Sequence, residues 1–135
     1  GALRNIVKDR TGLLWIGTRP NMYKEAPKKR QMALYTRDPK VKTSLPSDTV
    51  TALFEDSKRR LWIGTSNGIA LKMDEGKFQQ MTAIDRNNSN KKIGSMWQLV
   101  EDSHGQIWAG SDRGLFRWSD SKNAFQIIHY SLINP

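Results

Sequence analysis

The sequence predicts an all-β fold in which one four-stranded unit occurs three times. Three observations predict it. Tryptophans recur 47 and then 46 residues apart, at Trp15, Trp62 and Trp108. Asp9, Asp56 and Asp102 precede them, and Gly17, Gly64 and Gly110 follow them, at unchanged spacings. No segment shows a sustained helical period with caps. A period of this length is the mark of stacked supersecondary units.

The second unit shows the elements in order. Val50–Glu55 is apolar on both faces, as a strand buried between neighbours requires. Asp56–Arg59 is a tight turn, and the other two units read Asp-x-x-Gly there. The Asp side chain accepts backbone N–H groups and the Gly takes positive φ. Leu61–Thr65 is the second strand, with the Trp and then a Gly where a neighbouring backbone or ring approaches closely. Ser66-Asn67-Gly68 turns the chain again, as Arg113-Gly114 does in the third unit. Asn21 holds that place in the first unit and also tolerates the left-handed region. Third strands (Ile69–Met73, Leu115–Ser119) and fourth strands (Phe78–Met81, Phe125–Tyr130) follow, with Met32, Phe78 and Phe125 in one column. Loops such as Ser44–Asp48 lead into the next unit.

Repeated four-stranded units of about 47 residues are the arithmetic of β-propeller blades. A sandwich of twelve short strands is the alternative, but it does not need the same Trp and Gly in every unit. Blades do, because each packs on its successor in one geometry. The expected blades are residues 1–46, 47–93 and 94–135. Trp15, Trp62 and Trp108 are expected in the core between blades. Propellers close with about 4–8 blades, and Ser131–Pro135 resembles the opening of another linker. The expectation is a piece of a longer propeller. Its open blade faces or edges would meet the remaining blades of the parent, or a second copy of the chain.

The string Glu-Asp-x-x-x-x-Leu-Trp-Ile-Gly-Thr-x-x-Gly-Ile at Glu55–Ile69, with Leu45-Pro46-Ser47 before it, resembles the two-component regulator propeller repeat. Arg59 departs from the usual turn Gly, Asn21 departs in the first unit, and the third unit reads Ala109-Gly110-Ser111. The resemblance implies the periplasmic sensor region of a hybrid two-component protein, chiefly from polysaccharide-using Bacteroidetes. It implies a non-enzymatic segment with any histidine kinase elsewhere in the parent, and an oligosaccharide ligand.

Composition sets limits. The chain has 135 residues, 37% hydrophobic and 26% charged, with no cysteine. Disulfides, thiolate metal sites and cysteine nucleophiles are excluded. No apolar run is long enough to cross a membrane as a helix, and Gly1–Arg10 lacks the apolar core of a secretion signal. The net charge of +9 is uneven: residues 1–60 hold 14 basic and 6 acidic residues, and residues 61–135 hold 8 and 7. Much of the excess lies in Lys24–Lys42, including Lys28, Lys29, Arg30, Arg37 and Lys40. It reads as a solvated outer edge, with an anion-binding patch as the alternative. His104 and His129 sit in different units without ligand-spaced partners, so neither a metal site nor a cofactor is expected. Asp9, Asp56 and Asp102 recur in every unit, which suits turns better than catalysis.

Residues that leave their column at a ligand-facing end are the functional candidates. Trp97 shares its column with Arg4 and Thr51, at the start of an inner strand near the axis. Its ring could stack on the apolar face of a sugar, or it could fill space between blades. Arg19, Asn67 and Arg113 vary likewise in the turns of the same face, as ligand contacts or as solvated turn residues. Trp118 aligns with Lys72 and is expected in outer packing. The leading expectation is a sensor segment binding a glycan. A basic scaffold or polyanion-binding module is the alternative, with nucleic acid not favoured. A propeller glycosidase or lyase would need clustered carboxylates or an Arg/His/Tyr group on the central face, which these positions do not assemble.

Overall fold

A computed structural model describes residues 2–26, 31–74 and 76–129. Three antiparallel four-stranded meanders follow one another along the chain. The first is β1 (Ala2–Lys8), β2 (Leu14–Arg19), β3 (Met22–Ala26) and β4 (Gln31–Tyr35). The second is β5 (Val50–Glu55), β6 (Leu61–Thr65), β7 (Gly68–Lys72) and β8 (Phe78–Gln80). A small hairpin follows, β9 (Ala83–Ile84) and β10 (Asn90–Lys91). The third meander is β11 (Met96–Glu101), β12 (Ile107–Ser111), β13 (Gly114–Ser119) and β14 (Ala124–Ile127). The repeat is thus three blades of one design. Lys28, Lys29 and Arg30 of the basic stretch, the expected strand end at Tyr130, and Ser131–Pro135 lie outside the described residues.

The hairpin is a finding the spacing did not suggest. β9 pairs parallel to β14, so the connection after the second blade extends the third sheet to six strands. It bears on the unit boundary as well, because Ala83 and Ile84 pair with the blade that follows them.

The aspartate column performs the expected turn work and something more. One carboxylate oxygen of Asp56 accepts the backbone N–H groups of Lys58 and Arg60, each at 2.9 Å. The other accepts the indole N–H of Trp62 at 2.8 Å. Asp9 holds Trp15 at 2.8 Å and Asp102 holds Trp108 at 2.9 Å in the same way. Each carboxylate therefore fixes the turn and aims the indole. Gly12 and Gly105 take positive φ in these turns, and Arg59 does so without the glycine's freedom, at 66°. In the second turn the hydroxyl of Thr65 accepts from Asn67 N–H, and Ser111 does the same for Arg113. Ala109-Gly110-Ser111 therefore keeps the part of its column that braces the turn.

The first two glycines of the column are crowded from two sides, by the inner strand of their own blade and by that of the next. A Cβ on Gly64 would lie 3.0 Å from the Cβ atoms of Ala52 and Met96, and one on Gly17 would lie 2.8 Å from Val50 Cγ1. Trp15 and Trp62 sit in the two seams so formed. The first seam buries Trp15, Met22, Leu45, Val50, Ile63 and Phe78, and the second Trp62, Ile69, Met96, Ile107, Phe116 and Phe125. Trp118 closes the outer side of the second seam, with its ring 5.1 Å from both Trp62 and Phe125.

Trp108 departs from the expectation that all three tryptophans are inter-blade core. It is only half-buried, and no atom lies within 4 Å of where a Cβ on Gly110 would stand. Among the described residues no further sheet covers that face, and the Arg117 guanidinium, 5.6 Å from the ring, lies over it instead.

Candidate functional site at the axial mouth

The inner strand β5 lies between β1 and β11, and at one end the linkers and second turns gather around them. Each linker is tied on two sides. Gly68 N–H of the second blade donates to Gly94 O of the following linker, at 2.8 Å. On the other side Asp112 N–H of the third blade donates to Ser95 O, at 3.1 Å. The preceding linker repeats this: Asn21 N–H donates to Asp48 O, and Ser66 N–H to Thr49 O. The mouth is therefore a frame of backbone hydrogen bonds, on which side chains can vary without loosening it.

Each inner strand carries a β-bulge at this mouth. The pair Leu3–Thr18 is followed by Asn5–Gly17, Val50–Thr65 by Ala52–Gly64, and Met96–Ser111 by Gln98–Gly110. The residues left without an opposite number are Arg4, Thr51 and Trp97. A bulge takes its extra residue out of the ladder and re-aims its side chain. These three are the column that the sequence shows to vary.

Trp97 is 71% exposed. The ring therefore fills no space between the described blades. With Arg4, Arg19, Thr51, Ser66 and Ser95 it lines a cavity of about 540 Å³. Asn67 and Arg113 line a second cavity of about 490 Å³, with Lys91 and Lys92, and Ser66 and Ser95 belong to both. The four candidates thus fall into two adjoining pairs, Arg19 with Trp97 and Asn67 with Arg113. Asn67 also reaches Pro46 O with its side-chain amide, at a long 3.5 Å. Arg4, Lys91 and Lys92 also line these cavities, beside the residues that the sequence puts forward. Arg4 was visible as the column-mate of Trp97, whereas the two lysines reach the mouth through the β9–β10 hairpin. A further cavity of about 690 Å³ lies between Arg37–Leu45 and the outer strand β8. It brings no candidate residues together.

The arrangement offers an exposed aromatic plate, cations and hydroxyls. No described group of three His, Cys, Asp or Glu residues could hold a metal ion. His104 lies exposed in the Asp102 turn, with its backbone N–H on that carboxylate, and His129 lies exposed after β14. The shifted carboxyls are structural. Burial opposes the charge on Asp56, but the Trp62 indole, the Arg60 backbone N–H and the Arg60 guanidinium outweigh it and hold the carboxyl below its ordinary 3.8. Burial likewise opposes the charge on Asp9, and the Thr11 hydroxyl, the Trp15 indole and backbone N–H groups prevail. Asp102 is lowered chiefly by the Trp108 indole and then by Gln106 N–H. None of the three lines the mouth.

Known proteins share this architecture. The extracellular domain of a hybrid two component system protein of B. thetaiotaomicron superposes with a TM-score of 0.74 at 20% identity, over 93% of this chain and 18% of that one. A second such domain from the same organism gives 0.55 at 18% identity, over 91% and 23%. The chain thus spans less than a quarter of the length of either. None of the curated proteins matches it. Residues 44–67, which run from the first linker through β5 and β6 to the second turn, match the family model described as two component regulator propeller. The columns of that matched segment recur outside it, as Asp9, Trp15 and Gly17 in the first unit and Asp102, Trp108 and Gly110 in the third.

Proposed function

We propose that the chain is a non-enzymatic, extracytoplasmic sensor segment of a hybrid two-component signalling protein, and that its axial mouth receives an oligosaccharide. The repeat and the likeness to extracellular domains of such systems support the sensor reading. The observation that carries the ligand reading is Trp97. A large apolar ring left 71% exposed on a hydrogen-bonded frame is a stacking plate for a sugar, and Ser66, Ser95, Arg4 and Arg19 around it can meet hydroxyls. The lining holds no facing pair of carboxylates of the kind glycosidic cleavage uses. In the parent, further blades would cover the Trp108 face, and binding would shift the population of two arrangements that a kinase elsewhere reads. A second copy of the chain is the alternative cover for that face.

A thermal-shift screen of glycan fragments tests the ligand reading. At least one oligosaccharide is expected to raise the melting temperature of the chain and to lose that effect in Trp97→Ala. The variant's own melting temperature should hardly move, because the ring packs on little. A ligand bound equally well by the variant would mean that the site lies elsewhere.

A further inference from the structure

We propose that the ligand of this mouth carries a negative charge beside the sugar ring that stacks on Trp97, and that Arg4 and Arg19 read that charge. The inference rests on the glycan reading above and narrows it to acidic glycans.

The bulges supply the first argument. Arg4, Thr51 and Trp97 hold one structural place in three blades, and all three line one cavity. Each blade thus presents one side chain that the ladder does not use. In this chain the three are a cation, a threonine whose hydroxyl oxygen is itself buried, and an aromatic plate.

The second argument is the balance of charge. Arg4 and Arg19 lie at the same end of the first sheet, with Arg19 opposite Ala2 and Arg4 in the bulge just beyond Leu3. Both are exposed. No carboxylate lines their cavity. Other arginines of the chain are paired: Arg10 with Glu55, and Arg60 with Asp56 and Asp120. Two guanidinium groups facing one concave space without a counter-charge are stabilised by an oxyanion, which each can grip through two parallel N–H bonds. A uronate carboxylate and a sulfate ester both supply that group.

The third argument is the adjoining cavity. Lys92 and Arg113 continue the positive lining past the shared Ser66 and Ser95, beside Lys91, which pairs with Asp85 at 3.8 Å. Its one carboxylate, Asp112, already accepts Ser95 N–H at 2.8 Å. An acidic chain of more than one residue would meet cations along its length.

Isothermal titration of the full chain with matched probes tests this. One pair is oligogalacturonate and its methyl ester, and the other is a sulfated galactan oligosaccharide and its desulfated form. At least one charged member is expected to bind about tenfold or more tightly than its neutral partner, as one charge-assisted contact allows. Arg4→Ala or Arg19→Ala should remove about that factor for the charged member only, whereas Trp97→Ala should weaken both members. The two pairs separate carboxylate from sulfate. Equal binding within each pair, or discrimination that survives both arginine changes, overturns the charge inference and leaves the glycan reading standing. Failure of all four probes, beside a neutral hit in the thermal screen, does the same. Inorganic polyphosphate bound as tightly as the charged glycans, and indifferent to Trp97→Ala, would mean a general polyanion surface and overturn both readings.

Discussion

The second and third blades carry the same Trp–Gly column in two different surroundings. In the second, Trp62 is fully buried, and a Cβ on Gly64 would crowd Met96 of the next blade. In the third, Trp108 is half-exposed and Gly110 faces open space. Within the blades nothing differs in kind. Asp102 still grips the Trp108 indole, and β11 to β14 still form their meander. The difference teaches that burial of the tryptophan depends on the stacking of blades, whereas the glycine of the second blade also meets its own inner strand at Ala52. The aspartate, by contrast, does its work inside the blade whether or not a neighbour is present.

The largest expected effect tests this directly. Trp62→Ala should destabilise the chain by about 3–5 kcal/mol, as large aromatic truncations in cores do. Trp108→Ala should cost roughly half of that or less. Both lose the same indole–carboxylate bond, so the gap measured in urea unfolding isolates the cover that Trp62 has and Trp108 lacks. Equal losses would break the comparison.

The glycines sharpen it at a smaller scale. Gly64→Ala places a methyl 3.0 Å from two Cβ atoms that belong to inner strands, and such overpacking costs about 1–3 kcal/mol. Gly110→Ala meets nothing and should stay within about 0.5 kcal/mol or stabilise slightly, since alanine is less free than glycine in the unfolded chain. A third blade that suffered as much as the second would mean that Gly110 serves its own sheet.

Acid should act on both blades alike. The carboxyls of Asp56 and Asp102 titrate below 3.8 in the folded chain. Each therefore adds stability that is present above the unfolded value and is lost as pH falls through the lower folded value. Melting temperatures are expected to be level near neutrality and to drop below about pH 4. In Asp56→Asn the drop should be shallower, from a lower starting point. An acid limb unchanged by that substitution would separate the aspartates from acid stability.

The smallest expected effect compares the two seams. Asn5 and Ala52 occupy one column, and both Asn5 side-chain polar atoms are buried without a hydrogen-bond partner. Ala52 shows that alanine suits the position. Asn5→Ala should raise stability by about 1 kcal/mol through removal of an unsatisfied amide, read as a higher melting temperature. A fall would mean that the amide packs better than its missing bonds suggest.

These cases also show what sequence alone could reach. The recurrence of Asp, Trp and Gly made the three meanders legible, together with the turn carboxylates and the close approach at Gly17 and Gly64, because packing identical units demands identical residues. Asn21, at φ 92°, could be recognised as a stand-in for glycine on conformational grounds. The bulges could not be read. They arise from a register slip between paired strands, which no residue type announces. The β9–β10 hairpin left only a polar turn at Asp85–Ser89, which does not say which sheet the strands join. The mouth was half legible: departure from the column marked Trp97, but only the shared bulge showed that Arg4 stands beside it for the same reason.

An unopposed residue in each inner strand has one further consequence. A substitution at Arg4, Thr51 or Trp97 shifts no strand against its neighbour, because the ladder already skips that position. Three codons can therefore be rewritten while the architecture stays fixed. Diversification confined to them would let one scaffold acquire new preferences without first being repaired.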